Sequence, residues 1–172
     1  MKKLALTDFA KYRYPSALEL SPDGRYLTFA LKEVDREGDG YRWNLWLYDL
    51  ESRESRQITQ GDDQRQAVWE DNTHILYKTT EPDEAMRARG FEEEWTVYHR
   101  LNVCTGEERE AFRLPMSVSG LWKMDEGRYV FTGETHLDRP NLLELTGEAL
   151  EKELVRRQQT KGYKVLTELD RK

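Results

Sequence analysis

A mainly β architecture, assembled from repeated four-stranded antiparallel modules, is predicted by three observations. A turn-and-strand pattern recurs roughly every fifty residues, aromatic residues recur with it, and only short stretches carry helical periodicity. The first module starts at the turn signal Ser21-Pro22-Asp23-Gly24 and continues as Arg25–Leu31, an alternating run rich in aromatic and branched residues that reads as a strand. A polar, glycine-bearing loop follows over Asp35–Gly40. The strand Asn44–Leu50, a turn over Glu51–Glu54 and a short strand around Arg56–Thr59 complete the unit.

The same order then repeats. Ala67-Val68-Trp69 leads into an acidic turn at Glu70-Asp71-Asn72 and the strand His74–Lys78. Next come a strand over Thr96–Val103, the turn Thr105-Gly106-Glu107 and a strand over Glu110–Leu114. A third copy opens with Gly120-Leu121-Trp122, turns at Asp125-Glu126-Gly127 and runs on as Arg128–Thr132. Aligning the copies equates Asp23, Asp71 and Asp125, pairs Asp49 with Asn102, and sets Trp69 against Trp122. A single meander of this kind cannot bury both of its faces. Stacking meanders face to face around an axis solves the problem, with Trp and Tyr filling the space between them. The expected fold is therefore a partial β-propeller of about three four-stranded antiparallel blades with short helical insertions. The blades fall at about 17–60 and 65–115, and a third opens at about 117–172. A β-sandwich is the competing architecture; joint recurrence of turn, strand and tryptophan favours the propeller.

Two segments interrupt the strands. Glu81–Gly90 has a proline and acids early, arginines late and a terminal glycine, which predicts a short helix complemented to its dipole. Glu148–Lys161 is the stronger helix: Leu150 and Leu154 share a face, Glu153 faces Arg157, and Gly162 can end it. Leu6–Tyr12 reads as one helical turn capped by Thr7. Closure of a propeller takes at least four blades, so 172 residues are expected to be an amino-terminal fragment. The alternative for an open set of blades is self-association into a homo-oligomer.

Composition narrows the function classes. Apolar residues make up 37% and charged residues 35% of the chain, with a mean hydropathy of -0.90. Five Trp and nine Tyr separate it from disordered chains of similar polarity. A net charge of -6 spread along the sequence offers no basic face for nucleic acid. No apolar run is long enough for a membrane span and Met1–Leu6 lacks a signal-peptide core, so a cytoplasmic protein away from membranes is expected. The one cysteine, Cys104, excludes an internal disulfide and a cysteine-based zinc site.

No catalytic residue is assigned from the sequence, and no metal or cofactor site. None of the six serines (Ser16, Ser21, Ser52, Ser55, Ser117, Ser119) lies in a Gly-x-Ser-x-Gly elbow, Ser119-Gly120 coming nearest. His74, His99 and His136 are scattered, and the first two belong to expected strands, which predicts packing or surface roles. Asp35–Gly40 starts like a calcium loop, but its twelfth position is Trp46 where a bidentate glutamate is needed. Arg87, Arg89, Glu92, Glu93 and Glu94, beside Phe91 and Trp95, form the densest charged constellation. A salt-bridged surface insertion explains it more simply than recognition of a charged peptide end.

The runs Ser21–Phe29, Asn44–Leu50 and Arg56–Thr59 resemble the repeat shared by propellers of the prolyl oligopeptidase family and of Tol-type proteins. Several features are similar to the acylaminoacyl-peptidase branch of that family. They are Leu6-Thr7-Asp8-Phe9, Leu18-Glu19-Leu20, Trp69 with Asp71, Tyr98–Gly106 and the helical insertion at Leu142–Lys161. The resemblance implies that further blades and a carboxy-terminal α/β-hydrolase domain with a Ser-Asp-His triad complete the protein. Such an enzyme releases dipeptides or acylated residues from short peptides. A base-activated serine attacks the carbonyl and an oxyanion hole stabilises the intermediate. The propeller would limit access and position substrate. No residue of this chain matches a triad position. The alternative is a non-enzymatic, Tol-type or WD-repeat-like propeller that binds partners.

Overall fold

A computed structural model describes residues 6–35, 38, 40–82, 94–114, 116–125, 127–133, 140 and 145–160. A 3-10 helix, Leu6–Lys11, leads into three antiparallel sheets. The first is the meander β1 (Tyr14–Leu20), β2 (Tyr26–Asp35), β3 (Gly40–Asp49) and β4 (Glu54–Gln57). The second repeats it with β5 (Ala67–Trp69), β6 (His74–Pro82), β7 (Glu94–Asn102) and β8 (Glu108–Leu114). The third contributes β9 (Val118–Asp125) and β10 (Arg128–Gly133). Helix α1 (Gly147–Thr160) buries Leu154 against Leu145 and Leu150, and Glu153 pairs with Arg156 and Arg157 at 2.8 and 3.0 Å.

The architecture is mainly β and propeller-like, with open sheets. β5 lies against β1 and β2 on one side and against β9 on the other, so the leading strands of successive sheets are neighbours. Strand periodicity explains how each sheet serves two junctions. Ala30, Leu45 and Leu47 of the first sheet meet Ala67, Trp69, Ile75, Tyr77, Leu101 and Val103 of the second. The alternate residues Leu76 and Tyr98 point the other way, onto Val118, Leu121 and Tyr129 of the third. His74-Ile75-Leu76-Tyr77 is therefore almost continuously apolar because it is buried on both faces.

The turns equated in the first two sheets are equivalent in space, whereas Asp125 ends β9 opposite Arg128 and pairs with its guanidinium. Asp49 Oδ1 accepts the backbone N–H of Glu51 and Ser52 at 2.8 and 3.2 Å; Asn102 Oδ1 accepts those of Cys104 and Thr105 at 2.9 and 3.0 Å. Asp23 and Asp71 likewise each accept the N–H two residues on, at 3.1 and 2.8 Å. A short oxygen-bearing side chain at these places satisfies turn donors that the ladder cannot reach.

The register corrects one equivalence. Trp69 pairs with Ile75 and Leu20 with Leu27, each partner being the second residue of the following strand; in the third sheet that position pairs Tyr129 with Lys123. A bulge between Arg128 and Tyr129 shifts the ladder, so Trp122 opposes Val130 and is half-exposed, whereas Trp69 is buried. Lys123 takes the role of Trp69. Trp69 Nε1 donates to Glu19 O of the preceding sheet at 3.1 Å, and Lys123 Nζ donates to Glu70 O.

β1 is a strand that the sequence pattern does not mark. Its residues are all exposed, and its ladder with β2 is interrupted between Ser16 and Glu19, near Ala17 at φ 48°. Glu81 and Pro82, expected to open a helix, instead extend β6 opposite Trp95 and Glu94. The rest of that expected helix lies outside the described residues. So do Arg87, Arg89, Phe91, Glu92, Glu93, His136, Gly162 and the stretch 163–169.

Candidate functional site

The described residues present clefts between sheets and at strand ends. Their titratable side chains show what chemistry each can support. His74 and His99 are both held by neighbours. Asn102 Oδ1 is committed to backbone N–H groups, so its Nδ2 faces His74 Nε2 at 3.2 Å and donates to it. In the neutral ring the proton then sits on Nδ1, which donates to Asp71 Oδ2 at 2.9 Å. His99 stacks on Tyr77 with centroids 5.4 Å apart, contacts Thr79 Oγ1 at 3.0 Å and pairs with Glu108 at 3.2 Å. His99 thus packs on a ring and His74 braces its turn.

The serines are likewise placed within sheets and turns. Ser21 is buried; its Oγ donates to Asp23 at 2.6 Å and accepts the N–H of Tyr26 at 2.9 Å. Ser119 donates to Thr132 O at 3.2 Å, across the β9–β10 ladder, far from the strand-to-helix geometry of a nucleophile elbow. Among the described residues, no group of three His, Cys, Asp or Glu side chains is arranged to hold a metal ion. Among them, too, no helix is long and apolar enough to cross a membrane.

A charged network spans the second and third sheets. Arg100 Nε lies 2.7 Å from Glu70 Oε2, off the line of a hydrogen bond, and Arg100 reaches Asp71 at 3.5 Å. Tyr129 donates its hydroxyl to Glu70 Oε1 at 2.7 Å, and burial together with that bond pushes the phenol up to about 12. Partial burial works to raise the pKa of Asp71. The N–H of Thr73, the His74 ring and the N–H of His74 outweigh it and hold the carboxyl at about 2, against an ordinary 3.8. A depressed folded-state pKa contributes stability above about pH 4 that disappears as pH falls towards 2. Half of the Asp71 side chain is exposed, so screening leaves about 1 kcal/mol. Urea midpoints at pH 5 and pH 2.5 should differ less in Asp71→Asn than in the parent; an equal difference would contradict the assignment.

Three cavities are relevant to binding. A groove of about 300 Å3 between the first and second sheets is lined by Tyr26, Asp49, Glu54, Arg56 and Cys104, with the Cys104 thiol exposed. About 200 Å3 opens among the leading strands, between Leu20, Trp69 and Trp122. The third, about 290 Å3, lies where the β4–β5 connection passes β6 and is lined by Gly61, Asp63, Gln64, Lys78, Thr79 and Thr80. Sequence reasoning missed all six of these residues, because three come from a loop and three from a strand, joined only by packing.

The outer faces of the end sheets are also distinctive. Trp122, Met124 and Val130 are 49%, 66% and 48% exposed on the third sheet. On the first, Trp46 Nε1 is buried on the face opposite the core and has no acceptor among the described residues.

No family model matches the chain, and no curated protein matches its sequence. Solved structures do. The β-propeller domain of the Trilobed protease from Pyrococcus furiosus, described as having an open velcro topology, superposes with a TM-score of 0.51 at 14% identity. That match covers 72% of this chain and 34% of the other. Acylaminoacyl peptidase from Pyrococcus horikoshii superposes with a TM-score of 0.54 at 15% identity, over 76% of this chain and 19% of the other. The chain thus spans about a third of one structure and a fifth of the other, and its fold is that of a portion of a β-propeller such as the Trilobed protease contains.

Proposed function

We propose that this chain is the amino-terminal propeller segment of a serine peptidase of the prolyl oligopeptidase family, and that it has no catalytic role of its own. Residues 17–60 and 65–115 form two blades, and 117–172 open a third. Further blades and an α/β-hydrolase domain complete the enzyme, which releases dipeptides or acylated residues from short peptides in the cytoplasm. The propeller restricts entry to small peptides and helps to position them. The observation that carries this reading is the shared stacking of sheets with two peptidase structures. Exposed Trp122, Met124 and Val130 support further packing on the outer face of the third sheet. That same face favours self-association when the chain is alone.

The experiment compares this chain with the whole reading frame that contains it, on peptide nitroanilides and acylated amino-acid substrates. The chain is expected to show no turnover and to scatter light as an oligomer. The whole protein should hydrolyse the substrates and lose activity to serine-directed reagents. Serine-reagent-sensitive turnover by the pure chain would overturn its non-catalytic role, and a stable monomer would overturn its self-association. A whole protein that binds partners without hydrolysing peptides would establish the binding-module alternative.

A further inference from the structure

The first two sheets repeat one arrangement that the described part of the third leaves open. In each, the third strand pairs along the second, and its last residue stands opposite the first residue of the second strand: Asp49 opposite Tyr26, Asn102 opposite His74. β10 is the second strand of the third sheet, and its far edge has no ladder partner among the described residues. The junctions between sheets differ in the same way. Arg56 of β4 donates its guanidinium across the first junction to Val103 O, the carbonyl just after Asn102. Arg109 of β8 is its equivalent, since Leu47 opposes Arg56 and Arg100 opposes Arg109. Arg109 carries no hydrogen bond or ion pair among the described residues. It borders a cavity of about 260 Å3 whose other lining residues, His74, Arg100, Asn102 and Glu107, all belong to the second sheet and its turn. The corresponding groove at the first junction is lined also by Val103 and Cys104 of the following sheet.

We propose that the free edge of β10 and the Arg109 cavity are a docking surface for this chain's own residues Val165–Asp170, paired antiparallel with β10, the turn after Asp170 supplying the acceptor for Arg109. That segment lies outside the described residues, and its sequence carries the pattern. Val165-Leu166-Thr167-Glu168-Leu169-Asp170 matches Val97-Tyr98-His99-Arg100-Leu101-Asn102 in its valine, its apolar second residue, its leucine and its terminal Asx. The register of the first two sheets then sets Asp170 opposite Arg128, Leu169 opposite Tyr129 and Glu168 opposite Val130. Asp170 meets the Arg128 guanidinium as Asp49 meets that of Arg25 at 3.6 Å. Leu169 falls on the face of Tyr129, which packs among Val118, Leu121 and Phe112. The edge itself calls for a partner: Tyr129, Val130 and Phe131 are consecutive, and an open edge of aromatic and branched residues invites pairing. Arg171 O follows Asp170 as Val103 O follows Asn102, and it takes the place of that acceptor at the second junction. The inference rests on the repetition of the sheets and does not depend on the peptidase reading.

The test uses the full chain with Cys104→Ser, Val130→Cys and Glu168→Cys, oxidised at low protein concentration. Residues directly opposite in an antiparallel pair have Cβ atoms about 4.5–5.5 Å apart, close enough for a disulfide after a small movement. An intramolecular disulfide is expected, seen as a monomer of raised mobility on a non-reducing gel. The control pairs Val130→Cys with Thr167→Cys, which lies on the opposite face and should cross-link about tenfold more slowly or not at all. Hydrogen exchange by NMR supplies the second measurement. Removing residues 163–172 should speed exchange about tenfold or more at the β10 amides that point away from β9, leaving β2, β3, β6 and β7 unchanged. The Arg109 guanidinium N–H signals should lose protection with them. If the shortened chain fails to fold, the cysteine pairs in the full chain still decide. Equal rates for the two pairs, a disulfide formed only between two copies, or protection of β10 and Arg109 that survives the shortening would each overturn the proposal.

Discussion

Trp69→Ala should destabilise the protein by about 3–5 kcal/mol, among the largest effects expected of a single truncation here. The indole is 8% exposed, stacks on Tyr26 with centroids 6.4 Å apart and an interplanar angle of 13°, and donates to Glu19 O. Its ring joins the first sheet to the second, so truncation opens a cavity at a junction and removes one of two donors to Glu19 O, the other being the Thr28 hydroxyl at 3.2 Å. Trp69→Phe retains most of the ring and removes the hydrogen bond, and should cost less, about 1–2 kcal/mol. Urea unfolding followed by tryptophan fluorescence and circular dichroism measures both. Equal losses in the two variants would show that the hydrogen bond, and not ring volume, holds the junction.

Leu121→Ala should cost about 2–5 kcal/mol, with the damage confined at first to the third sheet. Leu121 is 1% exposed and packs among Leu76, Tyr98 and Val118. The described part of that sheet is a two-stranded ladder, and a two-stranded ladder depends on the surface beneath it for its stability. Hydrogen exchange should therefore accelerate across β9 and β10 before it accelerates in β2, β3, β6 or β7. Uniform acceleration in all three sheets would mean that they unfold as one unit.

These two residues differ in how far the sequence disclosed them. Trp69 was legible, since it precedes an acidic turn in a repeated pattern, and its inferred place between sheets is the place it occupies. Leu121 was legible only as part of a strand; its neighbour Trp122, the aromatic residue of the repeat, is half-exposed. One inserted residue at the β9–β10 bulge reverses which side chains face the second sheet, and composition alone does not reveal a bulge. Lys123 in the role of an inter-sheet donor was equally hidden. Its long stem and terminal donor substitute for an indole in reach and hydrogen bonding, but not in residue type.

The order of strands, the repeat and the turn-capping Asp23, Asp49, Asp71 and Asn102 were set by the sequence alone. They depend on local rules: period-2 alternation, positive-φ glycines such as Gly24 and Gly106, and side chains that satisfy their own turns. Tertiary structure alone decided which face of each strand meets which neighbour, and that β1 completes the first sheet despite full exposure. It also brought Gln64 and Lys78 to one cavity. Those outcomes turn on register and on contacts between residues distant in the chain. Local patterning leaves both undetermined, because a slip of one residue preserves every propensity while inverting every contact.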